Sequence, residues 1–518
     1  MDERSIAERF GIPVQEELHR FPFVRDKIAV IPYALAKQKK ILPLEETPAG
    51  ISVAISDPLD MEILSELRLL LKKTIFPVFC LRNIIEAAIE QCYHQKEEDT
   101  KRLFSELEKG SHFTDLSSEE GYDLLEQSDE NPVIRMVNTL LLEAIQHGAS
   151  DIHFEPTEGG LSIRYRVDGI LQQKHVPPRE YQLQILTRLK VMAKMDIAEH
   201  RLPQDGRIKL RHGGREIDFR VSTLPIVYGE RIVIRILDKG NVVLGLDRIG
   251  MGEKHLQQFR KLVHMPEGIV LVTGPTGSGK TTTLYSAISE VNDAKVNIIT
   301  VEDPVEYKIA GISQMNVNPR IELTFARGLR HILRQDPDVI MIGEIRDRET
   351  AEIAIQASLT GHLVFSTLHT NDAPSALTRL ADMGIEPYLL ASSILGVVAQ
   401  RLVRKICPDC KVSYTPSSQE MDELGCGHIV APKLYKGSGC PKCFETGYKG
   451  RLALYELMSV TGKIKSQVLQ SQDAEELRKV ALAQGMRSLF ENGVEIALQG
   501  LTTSSEVLRV TRIGEEKE

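Results

Sequence analysis

Residues 268–281 read Gly268-Ile269-Val270-Leu271-Val272-Thr273-Gly274-Pro275-Thr276-Gly277-Ser278-Gly279-Lys280-Thr281. An apolar run stops at a glycine-rich loop and passes into a helical pattern at Leu284, Ala287, Ile288 and Val291. Gly274 to Thr281 satisfy the phosphate-loop spacing G-x-x-x-x-G-K-[ST], with a strand expected before the loop and a helix after it. The glycines let successive backbone N–H groups turn toward a triphosphate, which a side chain at Gly277 or Gly279 is expected to obstruct. Lys280 supplies positive charge for the β- and γ-phosphates, and the Thr281 hydroxyl can hold magnesium. Gly274, Pro275, Thr276, Gly277, Ser278, Gly279, Lys280 and Thr281 are therefore the candidate nucleotide-binding residues.

Three more apolar runs follow, Ile298 to Val301, Val339 to Ile342 and Leu363 to Phe365, with helical stretches between them. Strands buried on both faces and joined by helical crossovers predict a parallel α/β sheet, whose ligands bind beyond the strand C-termini. The residues to inspect are then Glu302-Asp303-Pro304-Val305-Glu306, Gly343-Glu344 and Ser366-Thr367-Leu368-His369. Triphosphate hydrolysis needs an in-line water, a group to polarise it, and positive charge on the equatorial oxygens. Asp338 to Glu344 reads as a Walker B strand in which Glu344, after a glycine, replaces an aspartate at the strand end; its carboxylate would hold magnesium directly or through water. Glu302 and Glu306 are the candidates for polarising the water, although Glu302 and Asp303 would serve equally to brace the turn before Pro304. Of the two histidines bracketing the fourth strand, His362 and His369, the second is better placed to sense the γ-phosphate.

A chain of 518 residues implies about three or four domains at ~150 residues each. Its 42% hydrophobic and 26% charged residues are an ordinary composition for a water-soluble protein. A net charge of −8 gives no whole-molecule attraction to nucleic acid or acidic lipid and leaves room only for a local patch. No apolar run approaches ~18 residues, and Met1 to Ser5 lack a signal-peptide layout, so the expectation is a cytoplasmic protein that meets a membrane only through a partner. Seven cysteines are not a disulfide framework. Four of them form paired C-x-x-C knuckles, Cys407/Cys410 and Cys440/Cys443, which suit a tetrahedral zinc. The interval 411–439 exceeds the usual ~15–20 residues, so it must fold back or extend as an excursion. Cys80, Cys92 and Cys426 read as small apolar residues.

Residues 1–95 read as a small α+β domain, with strands at 28–32, 51–55 and 75–79 and helices from Met61 to Lys72 and Asn83 to Tyr93; docking and scaffolding remain equally open for it. Residues 96–130 are polar and charged, a flexible linker. In 131–240, Asn131-Pro132 opens a helix striped by Val133, Met136, Val137, Leu140, Leu141, Ala144 and Ile145. Alternating strands follow, carrying Arg220, Arg231 and Arg235 on polar faces, where they are either solvated or phosphate-reaching. The nucleotide domain is 241–518, with the zinc module at 404–447 and helices expected over Ala474 to Leu489 and Gly493 to Leu498.

Together these residues resemble the secretion ATPase family that powers type II secretion and type IV pilus assembly, over roughly 130–515. The marks are Gly148-Ala149-Ser150-Asp151-Ile152-His153, Pro203-Gln204-Asp205-Gly206-Arg207, the phosphate loop, an Asp box from Thr300 to Glu306, the Walker B segment from Arg334 to Asp347 and a His box from Thr360 to Asn371. Asp218 to Thr223, Gly229-Glu230-Arg231 and the zinc knuckles look most like the type II secretion branch. The resemblance implies a RecA-like P-loop NTPase domain preceded by a PAS-like α+β domain and the small N-terminal α+β domain, with a four-cysteine zinc module inserted near the C-terminus. It further implies a homo-hexamer using ATP and Mg2+. Lys280 and Thr281 would bind phosphate and magnesium, Glu344 would support the metal, and Glu306 would be the base. Arg220 and Arg235 would reach the nucleotide on domain closure, with Arg330, Arg334 and Arg451 joining or bracing the site or the subunit interface. The first domain would dock on the cytoplasmic part of an inner-membrane secretion protein. A pilus-extension motor, a nucleic-acid translocase and a non-catalytic nucleotide-gated scaffold are the alternatives; acidity and the lack of a basic-aromatic groove disfavour nucleic acid.

Overall fold

The computed structural model describes residues 7, 9–15, 18, 31, 35–36, 39–47, 49–71, 73–93, 122–123, 132–212, 215–238, 245–427, 429 and 433–511. Most of the expected strand at 28–32, nearly all of the 96–130 linker, the Asn131 cap, the Gly213-Gly214 turn and residues 512–518 lie outside these. The chain divides into two compact units, residues 1–241 and 242–518.

The first unit contains two sheets. The strands β1 (Val14–Gln15), β2 (Ile41–Thr47), β3 (Gly50–Ile55) and β4 (Ile75–Cys80) lie in the order β1-β4-β3-β2. The helices Met61–Leu71 and Arg82–Tyr93 match the expected amphipathic stretches, and Leu64, Leu67, Ile85 and Ile89 bury against Ile51, Val53 and Ile55. β2 escapes sequence reading because Pro43 interrupts it and the register shifts between Pro43 and Glu45.

The second sheet is formed by β5 (Tyr122–Asp123), β6 (Ala149–Thr157), β7 (Gly160–Val167), β8 (Ile170–His175), β9 (Gln204–His212), β10 (Arg215–Ile226) and β11 (Gly229–Asp238), in the order β5-β9-β10-β11-β6-β7-β8. One face packs on the helices Pro132–Gln146 and Gln182–Met192, through Met136, Leu140, Ile185 and Leu189 against Phe154, Ile163, Phe219 and Ile234. The Asp168-Gly169 turn between β7 and β8 has φ of 48° and 87°, the left-handed pair that a two-residue hairpin needs. β6, β8 and the helix Gln182–Met192 are not among the elements expected from the sequence.

The second unit is built on a mixed seven-stranded sheet. Its strands are β12 (Gly268–Thr273), β13 (Ile298–Glu302), β14 (Ser313–Asn316), β15 (Val339–Ile342), β16 (Leu363–Leu368), β17 (Ile394–Ile406) and β20 (Tyr448–Ser459); β18 (Lys411–Tyr414) and β19 (Leu434–Gly437) form a separate hairpin. The order is β14-β13-β15-β16-β12-β17-β20, parallel except for the β17/β20 pair. Alternation along each strand splits the apolar side chains between two cores. Ile269, Leu271, Ile340, Ile342 and Val364 enter one; Val270, Val272, Val339, Met341 and Phe365 enter the other. Such strands have no polar face, which is why they read as unbroken apolar runs.

One expected helix is corrected. The stretch from Ala474 to Leu489 is two elements: Ala474–Ala483 ends before Gly485, which takes φ 87°, and Leu489–Leu498 starts at Ser488. Ser488 and Glu491 form a reciprocal capping box, so the local chain satisfies its own end groups and starts a new helix. No helix among the described residues is long and apolar enough to cross a membrane.

Candidate active site

β12 delivers the loop 274–279 directly to the N-terminus of the helix Lys280–Glu290. Gly279 caps that helix at φ 88°, and Gly277 takes φ 79°. The two glycines are needed for different reasons. A Cβ at Gly277 would meet nothing within 4 Å, so what requires glycine there is the backbone conformation; a Cβ at Gly279 would lie 2.8 Å from Gln400 Nε2. At Gly274 a Cβ would collide with the Gln400 carbonyl oxygen.

The loop is shaped for an anion. Lys280 Nζ donates to the carbonyl oxygens of Gly274 at 2.8 Å and Pro275 at 3.1 Å, and Ser278 Oγ is buried without a hydrogen-bond partner. Burial pushes the Lys280 ammonium down to about 8, partly offset by Glu344 and reinforced by repulsion from Arg401. A cation taken out of water, with only neutral carbonyls to bond, fits a phosphate group. Thr281, the next residue, is exposed.

Glu344 follows Gly343 at the end of β15. Its carboxylate pairs with Arg346 and lies 3.2 Å from His369 Nε2. Burial on its own raises the pKa of this carboxyl, but the Arg346 and His369 partners outweigh that, and the net shift is downward, which keeps the group anionic. Thr273 at the end of β12 shares a hydroxyl–hydroxyl bond of 2.7 Å with Thr370, tying the phosphate loop to the loop after β16.

Glu302 and Glu306 separate in environment. Glu302 is 3% exposed and accepts from the Tyr285 hydroxyl, from Thr300 Oγ1 at 2.5 Å and from Gln314 Nε2 at 3.2 Å. Three donors and full burial leave this carboxylate little reach, so its place is to brace β13 against the helix behind the phosphate loop. Glu306 is half-buried, and its backbone N–H donates to the Tyr285 hydroxyl at 3.3 Å.

Gln400, Arg401, Thr283 and Tyr285, all in this neighbourhood, escape sequence reading. Gln400 on β17 accepts from Thr283 Oγ1 at 2.7 Å, and the next residue, Arg401, donates to Asn371 Oδ1 at 2.8 Å. Tyr285, the fourth, reads from sequence only as part of a helix. The usable signal is the Gln-Arg pair interrupting an otherwise apolar run from Ile394 to Val403.

Arg330 pairs with Glu349 at 2.6 Å and Arg334 lies 2.8 Å from His331 Nδ1, both lining a shallow cavity of ≈ 350 Å³ with Glu352 and Gln356. Arg451 lies on β20 opposite Arg404. Arg220 and Arg235 belong to the first unit, where Arg207, Arg220 and Arg235 stand directly opposite one another on β9, β10 and β11. Arg235 is paired with Asp151 at 3.1 Å, and Arg231 with Glu155 at 2.7 Å.

The cysteines converge. The sulfurs of Cys407, Cys410, Cys440 and Cys443 all lie within 4.8 Å of one another, with separations of 3.9 Å for Cys407–Cys440, 3.8 Å for Cys410–Cys443 and 3.6 Å for Cys440–Cys443. A tetrahedral zinc with Zn–S of ~2.3 Å sets its sulfurs ~3.8 Å apart, so the donor set fits that ion. The long interval between the knuckles folds back through the β18–β19 hairpin, and Cys426 packs apart, with Met421, Leu424 and Leu434.

A phosphate loop leaving an interior strand of a largely parallel sheet, faced by a carboxylate from a nearby strand, defines a P-loop nucleoside triphosphatase. The family model described as Type II/IV secretion system protein matches residues 126–509, and the MshEN domain model matches residues 10–99. The chain belongs to the type II/IV secretion system protein family and is an ATP-hydrolysing enzyme. It is 46% identical over 495 residues to the Type II secretion system ATPase E of Vibrio cholerae serotype O1, covering 95% of this chain and 98% of that one. It is 41% identical to the Type IV pilus assembly ATPase PilB of Myxococcus xanthus, covering 97% and 89%. The X-ray structure of the Yersinia pseudotuberculosis ATPase DotB superimposes with a TM-score of 0.56 at 23% identity, covering 77% of this chain and 97% of that chain, a likeness of fold.

Proposed function

We propose that this chain is the ATP-fuelled motor of a type II secretion system, a cytoplasmic homo-hexamer that drives pseudopilus assembly and protein export. What supports the reading is that the phosphate loop after β12 and the Glu344–His369 pair after β15 and β16 lie at the same ends of neighbouring parallel strands, in a chain whose relative over nearly its full length is a type II secretion ATPase. Its domains are a docking domain at 1–95, a linker at 96–130, a PAS-like arginine-bearing domain at 131–240 and a RecA-like ATPase domain at 241–518 that includes the zinc module 404–447.

In this mechanism the loop amides and Lys280 bind the β- and γ-phosphates, exchanging the lysine's carbonyl partners for phosphate oxygens. Thr281 and Glu344 would hold Mg2+, which when bound supplies charge neutralisation to the phosphates. Glu306 polarises the attacking water, while Glu302 keeps the turn that carries it in place. His369, through Glu344, registers the terminal phosphate. Arg220 and Arg235 stand opposite each other on neighbouring strands, and they reach the nucleotide when the domains close. Cys407, Cys410, Cys440 and Cys443 would hold a structural Zn2+.

The first domain docks on the cytoplasmic part of an inner-membrane platform protein, so membrane attachment is indirect and no nucleic acid is involved. Phosphate release by the purified full chain with Mg·ATP, lost in Lys280→Ala together with secretion in a complemented cell, is the expected result. Secretion that continues without turnover would replace the motor by a nucleotide-gated scaffold. Pilus extension is the second reading, favoured by the PilB similarity. Capture of the inner-membrane partner by the full-length chain from the native membrane fraction separates the two.

A further inference from the structure

Among the described residues, Arg401 is a charge that the fold leaves without a counter-ion of its own. It is 7% exposed; Nη2 donates to the neutral amide oxygen of Asn371, and Nε is buried with no hydrogen-bond partner. The carboxylate that acts on it is Asp372, which is itself paired with Arg478 at 2.7 Å. A guanidinium in this state is costly unless an anion arrives.

Its position names the anion. β12 and β17 run in register to Thr273 and Ala399, so residues 400 and 401 stand beside the first residues of the phosphate loop. Gln400 turns to the face of the helix Lys280–Glu290 and bonds Thr283; Arg401 turns to the opposite face and bonds the loop after β16. Arg401 also repels Lys280, so the two cations share one electrostatic field. That loop carries His369 against Glu344, Thr370 against Thr273 and the Ala373 N–H, which donates to Glu456 at 2.7 Å.

We propose that Arg401 is a further phosphate-binding residue of this site, taking the terminal phosphate of ATP as its counter-ion and, through Asn371, linking that phosphate to the 369–373 loop. The inference rests on the ATP reading above. The test is the ratio of Mg·ATP to Mg·ADP affinity, measured on full-length wild type, Arg401→Gln and Arg401→Lys at a temperature well below every melting point. Loss of one charge-assisted contact in Arg401→Gln lowers ATP affinity ~10-fold or more relative to ADP, because ADP lacks the group contacted. A wild-type ratio in Arg401→Gln overturns the proposal, since a bracing role weakens both nucleotides alike. Should Arg401→Gln fail to fold, Arg401→Lys decides by the same ratio, its lost planar fork lowering ATP affinity selectively. Wild type that binds neither nucleotide is a separate outcome, and it sinks the ATP reading together with this one.

Discussion

Two acidic residues four positions apart, Glu302 and Glu306, show how much chemistry hangs on a residue's partners. Glu302 is enclosed by Tyr285, Thr300 and Gln314, so a base there would have to break its own support to act. Glu306→Gln is therefore expected to bind ATP and turn it over at least ~100-fold more slowly, the scale of general-base loss. Rapid-quench phosphate release checks this; near-wild-type turnover would transfer the role to Glu302. Lys280 makes a prediction of its own. Its ammonium is held near 8 in the fold against an ordinary 10.5, so the unfolded chain binds more protons between those values. Stability of the nucleotide-free protein should thus rise with pH from about 8 to 10.5, the opposite of a lysine that gains a partner. Bound phosphate favours the charged form, so ATP affinity should fall as pH rises above about 8. Titration calorimetry across about pH 7 to 10 reads the affinity and parallel thermal melts read the stability. A flat affinity would remove Lys280 from the phosphates.

At the scale of elements, the parallel strands are legible because burial on both faces leaves an apolar run with nothing to interrupt it. β17 is not, because the polar pair Gln400-Arg401 sits inside it where the strand passes the phosphate loop. The zinc knuckles are legible from spacing alone, while the fold-back between them becomes visible only as the β18–β19 hairpin. One zinc per chain by elemental analysis is the expected stoichiometry. Cys407→Ser should lose the metal and unfold the module, given the ~10–16 kcal/mol that structural zinc contributes in peptide models. ATP binding should survive, since the phosphate loop is supported by other strands. Full metal content in that variant would mean another ligand set.

For the whole molecule, the family match extends over both compact units, residues 126–509, and the motor reading needs both. The arginine row supplies the test. Arg207, Arg220 and Arg235 stand in one row across adjacent strands, where a residue that serves the nucleotide and a residue that braces the sheet give different outcomes on removal. Arg220→Ala should impair turnover much more than stability, with turnover dropping by ~10-fold or more, the worth of a charge-assisted contact made in the transition state. Parallel thermal melts and steady-state assays decide it. Equal loss of stability and turnover would make Arg220 a structural brace.

The amino-acid order alone settled the phosphate loop, the paired cysteine knuckles and the strands that feed the site, because each of these is a local pattern of spacing or periodicity. Tertiary structure decided which acid is enclosed, that β12 lies between β16 and β17, and that Arg401 stands beside the loop without a partner charge of its own. Those facts depend on residues about 100 positions apart coming within a few ångströms, as Thr273 does with Thr370 and Thr283 with Gln400, and no local pattern encodes such a meeting.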